Sequence, residues 1–157
     1  MFETYRHLRH KYSKISLYQE RRLIKQAQGR SKAKKNELVE RHVWFVIFRI
    51  NKIAFPAYSA RFGDEILSQA IYILYDKVKT YDLRYKDKYG NTKPVRFCSY
   101  IWKRIDGFII DYLKKELKKE RQEQSLDWGG SDYRNDVFIY EEPHKYRHKK
   151  SDNFLLT

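Results

Sequence analysis

With one cysteine, Cys98, the 157-residue chain can form no disulfide within itself, and this composition fits a reducing cytoplasm. No apolar run approaches the length that crosses a bilayer, and the opening MFETYRHLRHKYSK lacks the apolar stretch of a secretory signal. No GxxxxGK pattern exists, so Gly29 and Gly63 do not make a phosphate loop. His144 and His148 stand at i, i+4 spacing, but no cysteine or carboxylate cluster accompanies them as a zinc site would require. Asp64 and Glu65 read as helix-start acids, and Asp106 and Asp111 are scattered along a helix, so a nuclease's metal ligands are not assembled. The chain therefore reads as a non-enzyme without cofactor or metal.

Acidic residues are also scarce. Twenty Asp and Glu stand against 34 Lys and Arg, for a net charge of +14. That imbalance predicts a polyanionic partner, and nucleic acid fits it better than a membrane surface. Hydrophobic residues at 41% suffice for the core of one domain, and aromatics at 17% are high enough that many rings must reach the surface.

The most informative stretch is Arg96 to Arg121, RFCSYIWKRIDGFIIDYLKKELKKER. As a helix it places Phe97, Ile101, Ile105, Phe108, Ile109, Tyr112 and Leu113 on one face. The opposite face carries Tyr100, Lys103, Arg104, Gly107, Lys114, Lys118 and Arg121. Cations neutralise phosphates, an aromatic ring offers a stacking platform, and glycine lets a backbone approach closely. The plain alternative is a solvated amphipathic helix.

Other helices are expected before it. Residues 1–15 are basic and aromatic, an arm or a short helix. Ser16 and Gln19 have capping-box spacing, which predicts a helix over Leu17 to Gln28, closed at Gly29. A second helix is expected over Lys32 to Ala54. Its VWFVIFRI run is apolar on nearly every side, as a central helix would be, although a strand reading of VWFVIF is also open. Pro56 is expected to stop it. A third helix is expected to open at Gly63–Asp64, with Ile66, Ala70, Ile71, Ile73, Leu74 and Val78 inward. Its polar face carries Glu65, Ser68, Gln69, Tyr72, Tyr75, Asp76 and Lys79. The two tyrosines there call for either a packing loop or a partner protein. Residues 82–95 read as a polar loop with a turn at Gly90–Asn91. The expected fold is all-α, a bundle of three to four helices over 16–124. An acidic and aromatic segment, a basic linker and an apolar ending follow over 125–157.

Leu17 to Lys115 resembles region 2, with its preceding helix, of the sigma-70 family of bacterial transcription initiation factors. ERRLIKQAQGRSKAKKNELVERHVWFVI is similar to the family's opening helices. DEILSQAIYILYDKVKTYD resembles its polymerase-docking helix, which ends in an aromatic–Asp pair, here Tyr81–Asp82. RFCSYIWKRIDGFIIDYLKK resembles its promoter-melting helix. Ser68 and Ala70 replace the usual Gln and Gly, and Lys103 and Arg104 stand where the family has two tryptophans, with Trp102 one position earlier. Nothing after Gln124 resembles the family's −35-reading domain. The short chain is similar in architecture to late-transcription sigma factors of T-even-type phages, whose apolar clamp-binding ending Asp152-Asn153-Phe154-Leu155-Leu156 resembles.

The resemblance implies an initiation factor for phage late genes, acting in the host cytoplasm. Glu65, Ser68, Gln69, Tyr72 and Asp76 would bind core RNA polymerase. Tyr100, Trp102, Lys103, Arg104, Gly107, Lys114 and Lys118 would contact promoter DNA of a −10 type, with Tyr100 capturing a base. Phe154, Leu155 and Leu156 would bind a DNA sliding clamp. The alternative is a basic DNA- or RNA-binding protein that acts without polymerase.

Overall fold

In the computed structural model, which describes residues 2–127, with side chains to 124, Ser16 and Gln19 cap the first helix reciprocally. The Ser16 hydroxyl accepts from the Gln19 amide (3.2 Å), and the Gln19 side chain accepts from the Ser16 amide (2.8 Å). Helix α1 follows over Leu17–Gln28, and the Gly29 amide closes it on the Gln26 carbonyl (3.2 Å). Helix α2 covers Lys32–Ile53, with Ser31 as its cap. VWFVIF is therefore helical. Leu38, Val39, Val43, Val46, Ile47 and Ile50 are buried, and α1, α3 and α4 all pack on α2. The run is not covered on every side, however: Trp44 and Phe45 are half-buried and Phe48 is 58% exposed, so α2 is central on three sides and open on a fourth.

Pro56 both ends α2 and begins α3, which covers Pro56–Thr80. The expected start at Gly63–Asp64 is thus corrected. Proline at the first helical position has its φ pre-set and loses no hydrogen bond, so the helix starts there. Asp64 is consequently not a first-turn acid. Its carboxylate accepts the backbone N–H of Phe2 (2.7 Å). A short 3-10 helix over Glu3–Arg9 packs on α2, with Phe2 and Leu8 in the core, so residues 2–15 join the bundle instead of standing off as an arm. Tyr12 and Lys11 both donate to Glu40 of α2.

Helix α4 covers Phe97–Asp127. Phe97, Ile101, Ile105 and Ile109 are fully buried, Leu113 nearly so, and Phe108 and Tyr112 pack at the edge, as the periodicity predicts. Each such burial contributes roughly 1.5–3 kcal/mol, which makes this stripe the anchor that fixes which face of α4 meets solvent. Among the described residues there is no strand. The segment joining α3 to α4 holds only an isolated bridge, Lys86 with Thr92. Residues 128–157, with the acidic segment, the basic linker, His144, His148 and the apolar ending, lie outside the described residues.

Candidate nucleic-acid interface

The exposed side of α4 carries Lys103, Arg104, Lys114, Lys118 and Arg121, all solvent-facing. Gly107 lies among them, and a Cβ added there would meet nothing within 4 Å. Among the described residues no neighbour demands a glycine here, which leaves the backbone approachable from that side.

Tyr100 lies at the N-terminal end of this stripe and is half-buried. Its hydroxyl shares a hydrogen bond with Thr80 Oγ1 at the end of α3 (2.9 Å). Its ring meets Tyr81 edge-on, with centroids 5.1 Å apart, and the Lys77 ammonium sits 5.6 Å from its centroid. Tyr81 itself is buried, and its hydroxyl donates to the Val95 carbonyl across the connecting segment. Gln28 of α1 donates to the carbonyls of Val78 (3.0 Å) and Tyr81 (2.6 Å), satisfying orphan acceptors at the α3 terminus. The ring is thus braced against the end of α3, which Gln28 of α1 caps, and this reduces the ordering cost of any stacking it performs.

Trp102 stands elsewhere. It lies on the flank of α4 that faces α2, not in the cationic stripe. Its indole N–H donates to Asp106 (2.5 Å), and the Arg49 guanidinium lies 5.1 Å from its centroid. Arg49 of α2, itself buried, grips both oxygens of Asp106 (2.7 and 2.6 Å). The side chain remains 41% exposed, so Trp102 is an accessible ring braced by an ion pair. The arginine inside VWFVIFRI was the available signal, because a charge in an apolar run needs a partner, but only packing shows that the partner is Asp106.

The polar face of α3 remains open. Glu65, Ser68, Gln69, Tyr72 and Asp76 are all exposed, Tyr72 to 76%. Gln69 donates to Glu65 (2.7 Å), and the Ser68 hydroxyl to the Asp64 carbonyl (2.8 Å). The paired tyrosines separate here. Tyr75 is packed by a helix, not a loop, donating to Asn36 of α2 (2.9 Å), and burial pushes its phenol pKa up. Tyr72 has no such hydrogen bond among the described residues and stays exposed.

A feature not legible in the sequence is a cleft of about 560 Å³ between the N-terminal segment, α2 and the start of α4. Arg9, Tyr12, Lys14, Arg41, Trp44 and Arg96 line it, with Arg41 4.6 Å from the Tyr12 ring centre and Arg9 5.6 Å from that of Trp44. Its cations come from separate parts of the chain, which no local pattern joins.

Among the described residues no group of acidic, His or Cys side chains is placed to hold a metal ion, and no helix is long and apolar enough to cross a membrane. Compared with known proteins, the chain matches no family model, no curated protein and no solved structure.

Proposed function

We propose that this protein is a sigma-like transcription initiation factor that binds core RNA polymerase through α3 and opens a −10-type promoter element with α4. The observation that carries the reading is the pairing of two different exposed faces on consecutive helices. The α3 face is polar, bears acids and presents Tyr72. The α4 face is cationic and begins at a tyrosine held at the junction of the two helices. Polymerase would retain the factor while lysines and arginines track phosphates and Tyr100 holds an unpaired base out of the stack. Phe154, Leu155 and Leu156 would add a second, tethered anchor on a sliding clamp, raising effective concentration where promoter affinity alone is low. The factor would work in a bacterial cytoplasm.

The deciding experiment is run-off transcription by core enzyme on a template with only a −10-type element, with and without this protein. Protein-dependent initiation at that element is the expected result. The net charge of +14 also favours a second reading, a nucleic-acid-binding protein that acts without polymerase. Failure to co-purify with core enzyme, with nucleic-acid binding retained, would select it.

A further inference from the structure

The segment between α3 and α4 has the sequence DLRYKDKYGNTKPV and looks, in sequence, like a plain polar loop. Its structure is more specific. Both acids are consumed internally. Asp82 accepts the amide of Arg84 (2.7 Å), and Asp87 accepts the amides of Tyr89 (2.9 Å) and Asn91 (3.0 Å). The Asp87 amide in turn donates to the Asn91 carbonyl (3.0 Å), and the Gly90 amide to the Asp87 carbonyl (2.9 Å). Gly90 takes φ +80°, the left-handed conformation that tightens the turn and that other residues adopt only under strain. The base is pinned by Arg21 of α1, which donates to the Leu83 carbonyl (2.5 Å), and by Tyr81 on Val95.

What this turn presents is cationic and aromatic. Among the described residues Arg84, Lys86, Lys88 and Lys93 make no ion pair within 4 Å, although Lys93 lies near enough to Asp87 to help the backbone amides hold its carboxyl below the usual range. Tyr85 is 51% and Tyr89 75% exposed, with the Lys88 ammonium 5.0 Å from the Tyr89 ring centre. Among the described residues neither ring packs against the core. The turn springs from Tyr81, the residue on which Tyr100 packs.

We propose that the turn over residues 84–93 is a second contact for single-stranded nucleic acid, in which Tyr89 and Tyr85 stack on bases and the four cations follow the backbone. The ordered turn lowers the cost of presenting the rings, and exposed cations next to exposed aromatics match a strand that displays both phosphates and base faces. The inference deepens the nucleic-acid half of the proposed function and rests on it, but it does not depend on polymerase.

The test is fluorescence anisotropy with the full chain and a labelled single-stranded oligonucleotide, in a salt series, without polymerase. Tyr85→Ala with Tyr89→Ala should weaken binding by about tenfold or more while leaving the salt slope unchanged, and Tyr89→Trp should retain affinity. Lys86→Ala with Lys88→Ala should lower the slope by roughly 0.7 per cation. Thermal melting should not move, since all four side chains are exposed. Unchanged affinity in the tyrosine pair, with Lys114→Ala and Lys118→Ala still weakening binding, would overturn the proposal and leave the α4 reading standing. If neither set weakens binding, both readings fall. An equal loss on duplex DNA would also overturn it, since stacking requires unpaired bases.

Discussion

Glu20, on α1, accepts a hydrogen bond from the backbone amide of Phe97, the first residue of α4 (3.2 Å), across 77 positions of sequence. One helix thereby supplies the N-terminal acceptor of another. The same carboxylate lies 3.5 Å from His42 Nε2 and 3.9 Å from Arg96, and the His42 ring packs edge-on against Phe97. His42 Nδ1 faces the Leu38 carbonyl (2.7 Å), so both ring nitrogens lie against oxygen atoms. This buried cluster sets where α4 begins, and so where Tyr100 stands.

Replacing Glu20 should therefore be costly and pH-dependent. Burial pushes its carboxyl pKa up, but the His42 and Phe97 hydrogen bonds and the nearby charges outweigh this and hold it below 4.5. The folded protein then binds fewer protons here than the unfolded chain. The contribution is complete above about pH 4.5 and is lost as pH falls through the folded-state value. Glu20→Gln should lower stability at pH 7 by about 2 kcal/mol, and its deficit against wild type should shrink at pH 3. Urea denaturation at both pH values measures this. A deficit that stays constant would show that the charge is not what matters.

Asp106→Ala should destabilise by about 3 kcal/mol, because it strands the buried Arg49 guanidinium. Arg49→Met combined with Asp106→Leu should recover much of that loss. Chemical denaturation of the two variants tests this pair. If the double variant is as unstable as the single, an uncompensated charge is not the cause.

Gly107→Ala separates fold from interface. With nothing within 4 Å of the added Cβ, the change should stabilise α4 by roughly 0.5–1 kcal/mol. If a strand approaches this backbone, nucleic-acid affinity should nevertheless fall. A variant that is more stable and binds equally well would remove Gly107 from the interface.

Tyr100→Phe and Tyr100→Ala should diverge. The first loses only the Thr80 hydrogen bond, about 1 kcal/mol, and keeps the ring. The second removes the ring, and open-complex formation should suffer more on duplex than on pre-melted template. Permanganate footprinting with core enzyme reads the difference, and equal defects on both templates would refute base capture.

Tyr72→Ala with Asp76→Ala should leave the melting temperature unchanged, since both side chains are exposed, while weakening affinity for core polymerase. Titration of labelled protein with core enzyme tests the docking face directly, and undiminished affinity would remove it.

The amino-acid sequence by itself determined most of the helices and the orientation of α4. A stripe such as Ile101, Ile105 and Ile109 can be buried only one way, and the Ser16 capping box acts within one turn. The exposed face of α3, from Glu65 to Asp76, was legible for the same reason. The start of α3 was not, because Pro56 fits either the end of one helix or the beginning of the next, and packing of Tyr58 and Phe62 against the core favours the beginning. Only the tertiary structure decided which charges are tied and which rings are braced. The Glu20–Phe97, Arg49–Asp106 and Tyr100–Thr80 contacts join residues 20 or more positions apart, beyond the reach of any helical period, and their partners exist only once α1, α2, α3 and α4 have packed.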